Sequence, residues 1–178
     1  MSDWSPIRPL EAYAGGVIST ATILGRGYSI TAAASAAWPS ANLAIFVPFQ
    51  LAVPVTVYKM ATGSGATAAG NFDIGIYDAA GNRLVSSGTT AKGASTEHII
   101  DVTDTVIGPG TYYLAMSADG TNNYIMVTPS GTSPVPLQKT RLYGVVAAAS
   151  SFVLPTSVTF AASTVAPIPA IAAYLRAA

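Results

Sequence analysis

The chain has 178 residues, of which only 9% are charged, with eight basic and eight acidic side chains and a formal net charge of zero. That length suits one domain with a sizeable core, but an ordinary soluble protein carries roughly 25% charged residues, so something other than charge covers or solubilises this surface. The absence of a basic stripe argues against nucleic acid and anionic membrane as partners, and the absence of cysteine excludes disulfides and thiolate chemistry.

The first stretch, "MSDWSPIRPLEAYAGG", lacks the basic segment and apolar core of a secretory signal. Pro6, Pro9 and the Gly15-Gly16 pair predict an extended arm over 1–16, with Trp4 and Tyr13 as isolated aromatic residues. Arms of this kind need a partner surface to be ordered. From "GVISTATILG" (16–25) onward, short runs rich in Val, Ile, Thr and Tyr alternate with Gly, Pro, Asn and Ser. The most apolar of them, "NLAIFVPFQLAVPVTVYKM" (42–60), is no membrane helix, because Pro48 and Pro54 interrupt it and Gln50 lies between them.

Nine or ten such runs predict an all-β fold, an antiparallel β-sandwich or jelly roll, as a single domain over 17–178. The alanine-rich "ITAAASAAW" (30–38) and "VAAASSF" (146–152) allow at most one short helix. The C-terminal "APIPAIAAYLRAA", with proline at 167 and 169, reads as an extended tail that ends in a strand or a short turn.

Two stretches read as hairpins. In "GNFDIGIYDAAGNRLVSSG" (70–88), Phe72, Ile74 and Ile76 alternate onto one face and Asp73, Gly75 and Tyr77 onto the other, with Asp78 and Gly81 shaping the turn. The expected role of Asp73 and Gly75 is sheet construction: Gly75 leaves room for a packed ring, and Asp73 is bonded near a turn or an interface. In "VTDTVIGPGTYYLAMSADG" (102–120), Gly108, Pro109 and Gly110 force a turn. One of Tyr112 and Tyr113 should then be buried with its hydroxyl bonded back to backbone. The two hairpins are expected to face each other.

Little here carries reaction chemistry. His98 is the sole histidine, in "EHIIDV", and reads as a half-exposed strand residue rather than part of a Ser-His-Asp arrangement; one histidine without cysteine cannot complete a zinc site of four nitrogen or sulfur ligands within one chain. Asp78, Asp104 and Asp119 stand where turns need acidic residues, not as a catalytic pair. Asp73 and Asp78 are the candidates for calcium, but their spacing is not D-x-[DN]-x-[DN]-G. "GSGATAAG" (63–70) lacks the third glycine of a dinucleotide site, and no phosphate-binding loop occurs. No catalytic residue, metal or cofactor is therefore expected.

The aromatic residues Trp38, Tyr58, Tyr77, Tyr112, Tyr113 and Tyr124 divide among core packing, a sugar platform and a protein interface, since about half of any such set on strands points inward. Trp38-Pro39 and Phe46-Val47-Pro48-Phe49 form either an end of the core or an apolar contact with a neighbouring subunit. On the second reading Trp4, Tyr13, Trp38, Phe46 and Phe49 make up the candidate interface.

Four stretches in this order, "WPSANLAIFVPFQL" (38–51), "GNFDIGIYDAAGNRLVSSG" (70–88), "DTVIGPGTYYLAM" (104–116) and "LPTSVTF" (154–160), resemble a group of small structural proteins of tailed bacteriophages. The resemblance covers most of the chain from about residue 37 and rests on structural motifs. It implies a non-enzymatic virion component assembled in the bacterial cytoplasm, most specifically a capsid decoration (cement) protein that stabilises the head shell. Its implied partners are the major capsid protein or other virion proteins and further copies of itself, as a trimer or dimer. The alternative it leaves open is a tail-associated or head-fibre protein that binds carbohydrate or a receptor.

Overall fold

The structure, a computed structural model, describes residues 16–23, 35–128, 152–160 and 167–178. The arm predicted over 1–16, with Trp4 and Tyr13, lies outside the described residues except for Gly16, and so does all of "VAAASSF" except Phe152.

In chain order the elements are β1 (Val17–Ser19), α1 (Thr20–Ile23), β2 (Ser35–Ala37), β3 (Ala44–Leu51), β4 (Val55–Gly63), β5 (Asn71–Asp78), β6 (Arg83–Ser86), β7 (Thr90–Ala91), β8 (Glu97–Ile107), β9 (Gly110–Ala118), β10 (Asn123–Thr128), β11 (Ile168–Pro169) and β12 (Ile171–Ala177). The fold is all-β, but the expected antiparallel β-sandwich or jelly roll is not what forms. Among the described residues the strands divide among three open sheets: a four-stranded sheet β1-β12-β4-β8, a five-stranded sheet β3-β9-β5-β6 with β7 also on β5, and a three-stranded sheet β11-β10-β2. None of these sheets is closed or strongly curled. A count of runs and turns gives the number of strands, whereas partner choice depends on contacts distant in sequence.

The corner at Gly108-Pro109 shows this. Its residues turn the chain as expected, yet β8 pairs with β4 in one sheet and β9 pairs with β3 and β5 in another. The corner between β3 and β4 does the same beside it, since Leu51 is opposite Gly110 and Val55 is opposite Ile107. Residues 102–120 are thus a crossing between sheets and not a hairpin. The other expected hairpin does form, with Gly75 opposite Ser86 and Ile76 opposite Val85.

All three sheets feed one core. Phe72, Ile74 and Ile76 of β5 meet Val57 and Met60 of β4, Leu114 and Met116 of β9, Tyr124 and Met126 of β10, and Ala173 and Leu175 of β12. The C-terminal segment ends in a strand, as one reading of it expected, and that strand is no loose tail: β12 lies between β1 and β4. Within "ITAAASAAW", Ser35–Ala37 pair with Ile125, Tyr124 and Asn123, which overrides the helical preference of alanine at these residues; among the described residues a short helix stands at Thr20–Ile23.

The five-stranded sheet is covered on its second face as well. There Ala44, Phe46, Tyr77, Ala115 and Leu154 form a smaller cluster, with Tyr113, Val158 and Phe160 packed against it. Period-2 alternation along β5 is therefore real in direction but not in exposure, because residues 152–160 lie across the face that carries Asp73, Gly75 and Tyr77.

Candidate functional site

The polar residues of the β5–β6 hairpin form the seat of the 152–160 segment. Asp73 is fully buried. Its carboxylate accepts hydrogen bonds from the Ser86 hydroxyl at 2.9 and 3.0 Å, the Ser87 hydroxyl at 3.1 Å and the Leu154 backbone N–H at 3.0 Å. A buried carboxylate is tolerated only with such donors around it. Along the same segment, the Tyr77 hydroxyl donates to the Pro155 carbonyl and the Arg83 guanidinium to the Leu154 carbonyl. Backbone bonds run from Arg83 N–H to Thr156 O at 2.9 Å and from Val158 N–H to Gly81 O at 2.8 Å.

Both glycines singled out from the sequence serve this seat. A Cβ on Gly75 would strike the Val85 carbonyl and stand 3.1 Å from a Leu154 methyl, so the space it leaves is filled by an aliphatic side chain and not by the expected ring. Gly81 has φ +87°, a conformation that favours glycine, and a Cβ there would collide with the Val158 carbonyl. Asp78 holds the turn itself, accepting from the Asn82 backbone N–H at 2.8 Å and its side-chain amide at 2.9 Å; the side-chain bond, then the backbone bond, draw its carboxyl below the usual range. Asp73 and Asp78 stand five residues apart on one strand, roughly 16 Å at about 3.3 Å per residue, so they do not form a common calcium site. Among the described residues there is no group of three or more His, Cys, Asp or Glu that could hold a metal ion.

A second polar cluster closes the loop between β7 and β8. The Ser64 hydroxyl, buried at the end of β4, donates to the Gly93 carbonyl at 2.6 Å and lies 3.2 Å from both the Thr96 carbonyl and His98 Nε2. The Gly93 N–H in turn donates to His98 Nε2 at 3.3 Å. With Nε2 accepting, the ring carries its proton on Nδ1. Burial first, and the Lys92 ammonium second, push the His98 pKa below its ordinary 6.5. Lys92 is itself buried; its ammonium donates to the Thr67 carbonyl and lies 5.4 Å from the centre of the Tyr124 ring, and burial lowers its pKa.

The Ser64–His98 approach has the distance of a nucleophile and base but not their arrangement. The serine proton points to a backbone carbonyl, the hydroxyl is shut off from solvent, and the imidazole acceptor is occupied by a backbone N–H; a triad needs an accessible nucleophile with the base taking its proton. What this cluster does chemically is tie residues 92–96 to the end of β4. His98 is half-buried, packed 4.9 Å from the Phe72 ring. Neither Ser64 nor Lys92 carried a signal in the sequence, since each acquires its partners only through long-range folding.

The remaining candidates fall mainly inside. Trp38, Phe46 and Phe49 are buried within the chain: Trp38 donates from Nε1 to the Leu43 carbonyl at 3.0 Å and meets Tyr124 edge-on, Phe46 packs on Tyr77 and Phe160, and Phe49 on Tyr112. These three rings are packed in the core, as the first of the two readings expected. Tyr77 and Tyr124 are also buried, and that burial raises both phenols well above 10. Tyr112 is half-buried with its hydroxyl bonded to the Gly108 carbonyl at 2.9 Å, the backbone bond expected of one of the two adjacent tyrosines, and Tyr113 stacks on Phe160 at 4.0 Å. Gly110, just after Pro109, opens β9 with the Tyr112 ring over it. Of the proposed sugar-platform set, Tyr58 alone stands on the outer face of the four-stranded sheet, beside Tyr174 and Arg176.

No helix among the described residues is long and apolar enough to cross a membrane. No protein-family model matches the chain, and comparison with curated proteins and with solved structures returns no match.

Proposed function

We propose that the chain is a non-enzymatic structural subunit of a tailed-phage particle, a decoration protein that binds the major capsid protein as a trimer or dimer. The observation that carries this reading is the use made of its buried polar side chains. Asp73, Ser64, Lys92 and His98 are the groups with most chemical potential, and each is engaged with backbone or neighbouring hydroxyls that fasten a loop or a strap. A fold that commits its buried polar groups in this way is built for persistence of shape, which suits a particle component. The resemblance of its strand and turn motifs to phage structural proteins supports the same reading.

The low and balanced charge supports attachment through apolar contact and strand pairing, with little dependence on salt. The long edge strand β8, with Ile99 52% and Val106 65% exposed, offers both. Labelled-antibody electron microscopy on separated heads and tails tests the proposal. It expects label over the head in many copies, retained through a moderate salt wash. Label confined to tails, or absent from particles, contradicts it.

A further inference from the structure

At one level of the four-stranded sheet the register breaks on both sides of β4. Consecutive residues Tyr174 and Leu175 of β12 oppose Lys59 and Val57, skipping Tyr58, and Val57 and Lys59 oppose Thr105 and Asp101 of β8. The resulting bulge lets two successive side chains, Tyr58 and Lys59, leave the core between buried Val57 and Met60. Bulges re-aim side chains and concentrate beside functional sites.

What the bulge presents is a patch of mixed chemistry. The Tyr58 and Tyr174 rings meet edge-on at 6.3 Å, and the Arg176 guanidinium lies 5.5 Å over Tyr58 while paired with Asp104. Lys59 pairs with Asp101 at 3.4 Å beside them. Each cation has its carboxylate, so the patch has no net charge to attract an anion. Nor does it have the charge-depleted centre of a protein interface: the Asp101 side chain is 85% exposed and those of Arg176 and Asp104 more than half.

We propose that this face is a binding site for a neutral saccharide, centred on Tyr58, Tyr174 and Arg176. The half-buried Tyr58 and Tyr174 rings supply apolar surface for the C–H side of a sugar ring, beside the Arg176 guanidinium that lies over Tyr58. The Arg176–Asp104 pair presents planar donors and acceptors together, the geometry that engages adjacent hydroxyls in pairs. Ion pairs already formed in the free protein hold these groups in place, which reduces the ordering that binding requires. The site is argued from this surface alone and does not depend on where in a particle the chain resides.

The test is titration of the full chain with neutral oligosaccharides of glucose, galactose, mannose, N-acetylglucosamine and rhamnose, with sialyllactose and oligogalacturonate as anionic comparisons. The expected result is saturable binding of at least one neutral sugar that weakens tenfold or more in Tyr58→Ala and several-fold in Arg176→Gln. Arg176 is exposed, so Arg176→Gln keeps the fold and decides the matter if Tyr58→Ala does not. No binding across the neutral panel, binding of the anionic sugars only, or full affinity in Arg176→Gln each overturns the proposal.

Discussion

The Asp73 seat and the Lys92 corner each bury one charged side chain, and among the described residues neither side chain enters an ion pair. Asp73 has replaced its water with two hydroxyls and a backbone N–H, and in doing so binds three segments of chain together. Lys92 has one carbonyl and the face of a ring, and burial pushes its pKa down. The difference is one of satisfaction: an anion ringed by donors acts as a fastener, whereas a cation with a single acceptor among the described residues is tolerated. Next to Asp73, across the ladder, the buried Ser117 hydroxyl has no partner among the described residues, so even in this well-bonded region not every polar atom contributes.

The sharpest way to break the comparison is to remove the anion. Asp73→Ala leaves the Leu154 N–H and the Ser86 hydroxyl without their acceptor, each at about 1–3 kcal/mol, while the Ser87 hydroxyl keeps the Gly88 carbonyl. We expect a loss of about 3 kcal/mol or more in urea unfolding, with new protease sensitivity near residue 154. A loss below about 1 kcal/mol would place Asp73 among the tolerated charges.

Lys92→Met tests the other side. An apolar chain of similar length keeps contact with Tyr124 and removes a poorly compensated buried charge, a type of replacement that is often neutral or stabilising. The expected change is within about 1 kcal/mol in either direction, by the same unfolding measurement. A loss as large as that of Asp73→Ala would erase the distinction between the two regions.

The smallest effect expected is a dependence on acid. The folded pKa of His98 lies below its ordinary 6.5, so the unfolded chain takes up its proton first as pH falls. The contribution of neutral His98 is complete above pH 6.5 and is lost as pH falls through the lower folded pKa. Protonation also removes the acceptor of the Gly93 N–H and adds a charge facing Lys92. The melting temperature should therefore drop between pH 6.5 and 5 by more in wild type than in His98→Gln, which keeps an acceptor and does not titrate. Parallel profiles would remove His98 from the account of this corner.

These two regions also mark how far the sequence can be read. Alternation placed Phe72, Ile74 and Ile76 on one face and Asp73, Gly75 and Tyr77 on the other, and turn chemistry located Asp78 and Gly81 correctly. What alternation cannot reveal is a cover for the second face, because Leu154, which meets Asp73, is 81 residues away. Gly108 and Pro109 announced a turn, but whether the strands on either side share a sheet depends on β3, β4 and β5. Ser64 and Lys92 had no local pattern at all. Their roles arise when the loop between β7 and β8 closes on the end of β4. The "LPTSVTF" stretch lies as a strap with, among the described residues, a single bridge, Ser157 to Asn82, and not as a full strand.

Amide hydrogen exchange at Leu154 tests most directly that Asp73 is a fastener. Its N–H donates to a fully buried carboxylate 81 residues away. The account predicts strong protection of this amide in wild type and its loss in Asp73→Ala, while the β5–β9 ladder stays protected. Rapid exchange at Leu154 in wild type, or equal protection in Asp73→Ala, would contradict it.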